Sequence, residues 1–265
     1  MDLKSVLMEM IQIPELSTFK NPLFVGPHPD DIEFGCGSLI SKMNKKGTHP
    51  HFLIVTDGSA GTDDPMCPPS KLKEIRENEA RNSGRFLGAS TVDFIGFEDG
   101  GIFEVEDVTR EVSKYILKYM PDIIFVVDPM LSTETHADHL KVGEGVRRAI
   151  QIVGYPETLR RHHVEIENVK EFPRNIFLAY YFTDSPNIFT EISKDDLDNK
   201  IKALMCHESQ MADPGSKILL QYFALKAEED GKRGGFHLAE SFRVIHPYQE
   251  HVYSEGLFSI KWALK

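Results

Sequence analysis

Short apolar runs alternate with helical stretches along the first two thirds of this sequence, and this alternation limits the possible folds most strongly. The apolar runs, rich in β-branched and aromatic residues, cover 23–26, 51–56, 92–97, 123–127 and 176–182. Helices are predicted at 37–46, 70–87, 108–119 and 140–153. Runs that are nearly all apolar are typical of strands buried on both faces. The alternation therefore predicts an α/β fold, with a mostly parallel sheet and helices on both faces.

Length and composition favour one domain over residues 1–265, with two small domains as the alternative. Hydrophobic residues make up 41% of the chain and charged residues 27%, which is ordinary for a globular protein. A domain of this size buries a large core without disulfides. The segment 154–173 is charged and has no clear period, so it is predicted to be an insertion on the surface.

The charge and the cysteines exclude several classes of protein. A net charge of −11 without a strong basic cluster argues against nucleic-acid binding. The three cysteines, Cys36, Cys67 and Cys206, are odd in number and lack CxxC spacing, which argues against a disulfide framework and favours a reducing compartment. We also expect no signal peptide and no membrane span, and therefore a cytoplasmic protein.

Polar loops follow each of the first four predicted strands. They contain residues 27–31, 57–61, 98–101 and 128–139, and all are rich in carboxylates, histidines or glycines. Ligands of open parallel sheets bind outside the carboxyl ends of the strands. The position of these loops therefore favours an enzyme.

The strongest motif is His28-Pro29-Asp30-Asp31, directly after a predicted strand. Imidazole and carboxylate are ordinary zinc ligands, and a spacing of three residues can bring His28 and Asp31 to one ion. Asp30 would then point elsewhere, next to a metal-bound water, for which it is a natural general base. The alternative is that Asp30 or Asp31 simply caps the helix that follows.

A second cluster, Thr135-His136-Ala137-Asp138-His139, also lies between a strand and a helix. A single histidine there would more often be a cap or a packed surface residue. Two such clusters at the ends of two parallel strands are much harder to explain by structure alone. Together they supply more than the three protein ligands of a catalytic zinc, and the surplus suits a base and an oxyanion-stabilising group.

These two clusters resemble the motifs of the LmbE-like or PIG-L-like deacetylase family. The resemblance covers about residues 20–245 and includes further stretches at 56–61, 76–80, 96–100, 202–210 and 239–242. It implies a Rossmann-like fold and hydrolysis of the N-acetyl group of a glucosamine-containing substrate. Within the family, the chain is most similar to the deacetylases of diacetylchitobiose, which implies a homo-oligomer, with a hexamer as the form known in that subgroup.

The resemblance also implies roles for six residues of the two clusters. His28, Asp31 and His139 would bind one zinc ion per chain, and Asp30 would be the base. His136 would stabilise the oxyanion, held in orientation by Asp138.

Three further residues are candidates for contact with the substrate. By resemblance, Arg76 and Asp99 would bind sugar hydroxyls, for which a guanidinium offers donors and a carboxylate offers acceptors. The alternative for Arg76 is an ion pair with Glu79 on a solvated helix face. His237 would line the substrate pocket, or would equally well be a surface histidine.

The expected function is a zinc-dependent hydrolase that releases acetate from an N-acetylglucosamine-containing small molecule such as diacetylchitobiose. A first alternative is deacetylation of an N-acetylglucosaminyl-malate or a related thiol precursor. A second, of another class, is a metal-binding protein without turnover. A nucleotide cofactor is not expected, because residues 57–61 lack the spacing and the lysine of a phosphate loop.

Overall fold

A computed structural model describes residues 3–212 and 215–251, apart from the side chains at 3, 4, 7, 8, 216 and 217. The strands are β1 (Pro22–Gly26), β2 (His51–Thr56), β3 (Thr91–Phe97), β4 (Ile123–Val127), β5 (Phe177–Tyr181), β6 (Ile188–Glu191) and β7 (Ala239–Ile245). The helices are α1 (Leu3–Met10), α2 (Asp31–Lys45), α3 (Pro69–Leu87), α4 (Val105–Tyr119), α5 (Ala137–Val153), α6 (Pro156–Arg161), α7 (Lys194–Leu204), α8 (Glu208–Met211) and α9 (Ser216–Gly234).

The seven strands form one sheet in the order β3-β2-β1-β4-β5-β7-β6. Strands β1 to β5 are parallel, and β7 pairs antiparallel with β5 and β6. Helices α2, α3 and α7 pack together, and α4, α5 and α6 form a second group. Every residue of β1 and β4 is buried between the helical layers. The predicted α/β fold is confirmed, and each predicted strand agrees with the observed one to within one residue at each end.

One part of the chain differs from what the sequence pattern predicts, and another has no clear pattern. The segment 154–173 is more than a surface insertion, because it contains α6 and buries Leu159, Val164 and Ile166 in the main core. The region after residue 231, which has no clear pattern, contributes the end of α9 and the strand β7. The described helices include none with the length and apolar character needed to cross a bilayer.

The order of the strands determines where a ligand can bind. From the neighbouring strands β1 and β4, the chain proceeds outwards in opposite directions, to β2 and β3 on one side and to β5 on the other. This is a topological switch point, where the loops after the two strands separate and leave a crevice. The two histidine and aspartate clusters follow these two strands.

Close packing between α2 and β5 fixes the beginning of α2, which carries part of the first cluster. The ring of Tyr181 lies so close to Gly35 that a Cβ added there would be 2.3 Å from the Tyr181 Cδ2 atom. Tyr181 is fully buried, and its hydroxyl donates a hydrogen bond to the carbonyl oxygen of Val25 at 2.8 Å. The ring therefore has little freedom to move aside.

We predict that Gly35→Ala lowers the free energy of unfolding by about 1–3 kcal/mol, because overpacking forces the ring or the helix to shift. Urea denaturation measures this change. Gly154→Ala is the matched control: Gly154 has an ordinary helical φ of −78°, and an added Cβ would meet its nearest neighbour at 3.4 Å. Equal stability of the two variants would contradict the packing argument.

Candidate metal centre and active site

Three side chains from the loops after β1 and β4 converge on one point. The Oδ2 atom of Asp31 lies 3.2 Å from His28 Nδ1 and 3.4 Å from His139 Nε2. The candidate ligand atoms of all three residues lie within 4.8 Å of one another. Around a tetrahedral zinc with bonds of about 2.1 Å, neighbouring ligand atoms are about 3.4 Å apart. The spacing and the donor types of this group fit one such ion and leave a fourth position for a reactant.

Local contacts orient these three side chains. Asp31 begins α2, and its Oδ2 atom also accepts the backbone N–H of His28 at 2.8 Å. His139 lies in the first turn of α5, and its Nδ1 atom is 2.8 Å from Oε2 of Glu134. A carboxylate on the far nitrogen fixes the tautomer and the ring of a metal-binding histidine. The sequence analysis did not predict this contact of Glu134, although an acidic residue five positions before a candidate ligand histidine could have indicated it.

A second group of candidate metal ligands lies at the Nε2 side of the His28 ring. Its Nε2 atom is 3.2 Å from Asp99 Oδ1 and 3.3 Å from Asp138 Oδ2, and His136 completes a set that could also hold a metal. Four protein donors would fill a tetrahedral site, whereas a catalytic zinc keeps one position open. The set of His28, Asp31 and His139 is therefore the better candidate for a catalytic ion.

The charges around His28 favour a cation at this place. Burial opposes protonation of His28, but its contacts with Asp138, Asp31 and Asp99 raise its pKa to about 12. Burial likewise opposes ionisation of Asp31, yet hydrogen bonds with His139 and His28 hold its pKa well below the usual range. The same carboxylates that attract a proton to the imidazole would attract a metal ion in its place.

Asp30 is not one of the three candidate ligands, and its backbone has an unusual conformation. Its φ of 141° lies in a region that L-residues rarely adopt, and such strain is typical of functional sites. Although Asp30 stands at the N-cap position of α2, its side chain makes no capping hydrogen bond. Its Oδ2 atom accepts a hydrogen bond from Arg76 Nη2 at 3.2 Å. Burial raises the pKa of Asp30 to about 7, against the opposing effect of the Arg76 charge.

Arg76 is buried and joins the loops that follow β1 and β2. Besides Asp30, its guanidinium donates to the carbonyl oxygens of Pro29 at 3.0 Å and Gly58 at 3.1 Å. The alternative of a solvated pair with Glu79 is wrong, because both carboxylate oxygens of Glu79 accept hydrogen bonds from Ser209. Because Arg76 is buried and its Nη1 and Nη2 atoms donate to these three oxygen atoms, it is better placed to position Asp30 than to bind a sugar.

His136 lies at the exposed mouth of the site, beside the candidate ligands. It is the N-cap of α5, and its Nδ1 atom accepts the backbone N–H of Asp138 at 3.3 Å. The other nitrogen, Nε2, therefore carries the proton in the neutral ring and can donate it towards a ligand. The carboxylate of Asp138 contacts His28 instead and accepts the backbone N–H of Gly100 at 2.8 Å. Asp138 thus contacts the His136 ring through its backbone N–H.

The remaining two candidates for contact with the substrate differ in position. Asp99 lies inside the cluster, where its Oδ2 atom accepts the backbone N–H of Ala60 at 3.2 Å and stands 3.8 Å from Arg76 Nη1. His237 is exposed in the turn between α9 and β7 and belongs to neither group of candidate metal ligands. The structure therefore brings together eight of the nine candidate residues and leaves His237 apart.

Comparison with known proteins identifies the family of this fold and site. Residues 23–150 match the family model described as PIG-L, GlcNAc-PI de-N-acetylase. The diacetylchitobiose deacetylase of Thermococcus kodakarensis is 31% identical over 227 residues, which cover 85% of this chain and 83% of that protein. The chain belongs to the PIG-L/LmbE family of de-N-acetylases, which are hydrolases.

Two further relatives span different shares of the chain. The structure of N,N'-diacetylchitobiose deacetylase from Pyrococcus horikoshii, complexed with an inhibitor, superposes with a TM-score of 0.86 at 26% identity and covers 94% of each chain. The probable N-acetyl-α-D-glucosaminyl L-malate deacetylase 2 of Bacillus subtilis is 29% identical over 137 residues, which cover 48% of this chain and 59% of that protein.

We predict that the purified protein binds one zinc ion per chain and that His139→Ala loses most of it, because one of three ligands is removed. Elemental analysis after dialysis measures the metal content. His49→Ala, which changes an exposed histidine outside the site, is the matched control. Full occupancy in His139→Ala would exclude His139 as a ligand.

We also predict that zinc binds more tightly at pH 8 than at pH 6. Contacts with carboxylates raise the pKa of His28 and, against burial, that of His139, chiefly through Asp31. Zinc must displace these protons, so its apparent affinity falls as the pH falls. Competition titration with a chromogenic chelator measures the affinity, and a constant value from pH 6 to 8 would contradict this electrostatic description.

Proposed function

We propose that this protein is a zinc-dependent hydrolase that removes the N-acetyl group from an N-acetylglucosamine-containing small molecule and releases acetate. The observation that carries the proposal is the convergence of His28, Asp31 and His139 on one point, with Asp30 held beside them. Membership of a de-N-acetylase family supports the same reaction class. A metal-binding protein without turnover would have no need for a buried carboxylate in a strained conformation next to the metal.

The chain supplies a base, an oxyanion donor and a scaffold for the reaction. A zinc ion at this site would act as a Lewis acid and would lower the pKa of a bound water to about 7. Asp30, with a pKa near neutrality, takes a proton from the attacking water. The Nε2–H of His136 donates a hydrogen bond to the acetamide oxygen as negative charge develops there. Asp30 then passes the proton to the leaving nitrogen, which gives acetate and a free amine.

Arg76 and Asp138 act on this chemistry through other residues. Arg76 fixes the direction of the Asp30 carboxylate and limits the rise of its pKa. Asp138 holds the tautomer of His136 in which Nε2 is the donor. We propose Asp99 as the residue of this cluster that contacts the sugar, because its Oδ1 atom lies 3.2 Å from His28 Nε2, beside the candidate metal ligands. His237 stays a candidate for substrate contact without support from its position.

The proposed substrate is diacetylchitobiose or a similar amino sugar, and N-acetylglucosaminyl-malate is the alternative. Two relatives that match 85% and 94% of this chain are named as deacetylases of the first sugar, and the malate deacetylase matches 48% of the chain. Acetate release from the two sugars, assayed in parallel, separates them.

The proposal also names the metal, the cellular compartment, the partners and the oligomeric state. Zinc is the proposed metal because two imidazoles and a carboxylate are donors typical of catalytic zinc. The three free cysteines favour the cytoplasm, and the net charge of −11 argues against nucleic acid as a partner. We further propose a single domain and a homo-oligomer, as a hexamer.

We predict that Asp30→Asn retains zinc and loses a factor of about 10²–10⁴ in kcat, the usual contribution of a general base. The amide keeps the size of the side chain but cannot accept the proton. Acetate release from diacetylchitobiose measures kcat, and elemental analysis checks that zinc is still bound. Normal turnover in this variant would remove Asp30 from the mechanism.

A further inference from the structure

Glu134 lies in the loop between β4 and α5, and its carboxylate contacts two different parts of the site. Its Oε1 atom accepts the backbone N–H groups of Thr135 at 2.8 Å and His136 at 2.7 Å. Its Oε2 atom is 2.8 Å from His139 Nδ1. The Glu134 side chain is only 15% exposed, so water has little access to these contacts. One carboxylate therefore joins a candidate metal ligand to the candidate oxyanion donor.

The contact with His139 determines which ring nitrogen is free for a metal. His139 Nε2 faces the candidate metal position, where it is 3.4 Å from Asp31 Oδ2. In the neutral ring that binds metal through Nε2, the hydrogen is on Nδ1. An ionised carboxylate can only accept, so Glu134 favours this arrangement of the hydrogen. Glu134 thus keeps a lone pair of His139 directed at the metal position.

The other carboxylate oxygen holds the backbone of His136. This residue is the N-cap of α5, so the position of its ring depends on where the chain enters the helix. Glu134 Oε1 fixes that entry by accepting two successive backbone N–H groups. The same helix carries His139 in its first turn. The two histidines are therefore held relative to each other by α5 on one side and by Glu134 on the other.

We propose that Glu134 is a positioning residue that couples the two histidines: it sets the metal-binding tautomer of His139 and, through the backbone, the place of His136. This inference rests on the proposed deacetylase function and deepens it. Glu134 exchanges no proton in the reaction and touches neither metal nor substrate. The competing explanation is a purely structural one, in which Glu134 only accepts the backbone N–H groups before α5.

Glu134→Gln separates the two explanations, because an amide has one acceptor oxygen and one donor nitrogen. If the amide oxygen accepts from the backbone, the NH2 group faces His139 Nδ1 and favours a hydrogen on Nε2, where the metal binds. If the amide oxygen faces Nδ1 instead, the N–H groups of Thr135 and His136 lose their acceptor. A glutamine therefore satisfies either the backbone or the metal-binding tautomer, and never both.

We predict that Glu134→Gln raises the Kd of zinc by about 10–100-fold, the usual effect of changing a residue that orients a metal ligand. Competition with a chromogenic chelator at pH 8 measures this Kd. In the zinc-saturated variant, the amide oxygen turns to His139 and releases the backbone of His136. We therefore expect kcat for acetate release, measured at saturating zinc, to fall by about tenfold, because small misplacements of catalytic groups are costly.

Glu167→Gln is the matched control, since it removes the same charge from an exposed residue outside the site. Its Kd for zinc and its kcat should equal those of the wild type, and thermal unfolding checks that both variants are folded. An unchanged Kd in folded Glu134→Gln overturns the inference alone, because a structural acceptor role predicts that result. A weaker Kd with unchanged kcat overturns the coupling to His136. A zinc-loaded wild type that releases no acetate overturns the proposed function.

Discussion

The parallel pairing of β1 with β4 is the constraint on which the whole site depends. Leu23 pairs with Ile124 and Phe24 with Phe125, and the two phenylalanine rings stack with centroids 4.4 Å apart. Because both strands are fully buried, a slip of one residue would turn each apolar side chain to the opposite face. This register places His28 and His139, 111 positions apart in sequence, at the same edge of the sheet. No local interaction could bring them together.

The second requirement is the balance of charge at that edge. Asp31, Asp99 and Asp138 contact His28, and the buried guanidinium of Arg76 pairs with Asp30. Burying carboxylates costs several kcal/mol each unless cations and hydrogen bonds compensate. A divalent ion would fit this balance. In the proposed mechanism Asp31 is a ligand of the ion, and Asp30, which is held by Arg76 and has a pKa of about 7, is the base.

The sequence predicts the fold well because its strongest signals are local. Runs such as 123–127 are apolar throughout and end in polar turns, so their limits are visible without tertiary information. The region from residue 231 onwards lacks such signals. Strand β7 lies between β5 and β6, and its sequence AESFRVI contains the buried residue Glu240. The Glu240 carboxylate pairs with Lys200 and accepts hydrogen bonds from the backbone N–H groups of residues 38 and 39 in α2. A pairing of this kind depends on contacts from far along the chain.

The candidate site is likewise predictable where it lies in short local motifs, and unpredictable where it depends on contacts from far along the chain. The spacing within a short motif makes His28 and Asp31 candidate ligands, and the resemblance to the family adds His139. The positions of Arg76 and Glu134 depend on tertiary packing: an arginine on a helix is expected to be solvated until the loops that it joins are in place. The glycine at position 61 is explained only then, because a Cβ there would be 2.3 Å from Arg76 Nη1.

The most direct test of this account is a crystal structure of the zinc-loaded protein with anomalous scattering recorded at the zinc edge. We predict one strong peak per chain within about 2.0–2.2 Å of ligand atoms of His28, Asp31 and His139. A peak bound by Asp99, His136 and Asp138 instead, or no peak in a protein that deacetylates amino sugars, would contradict it.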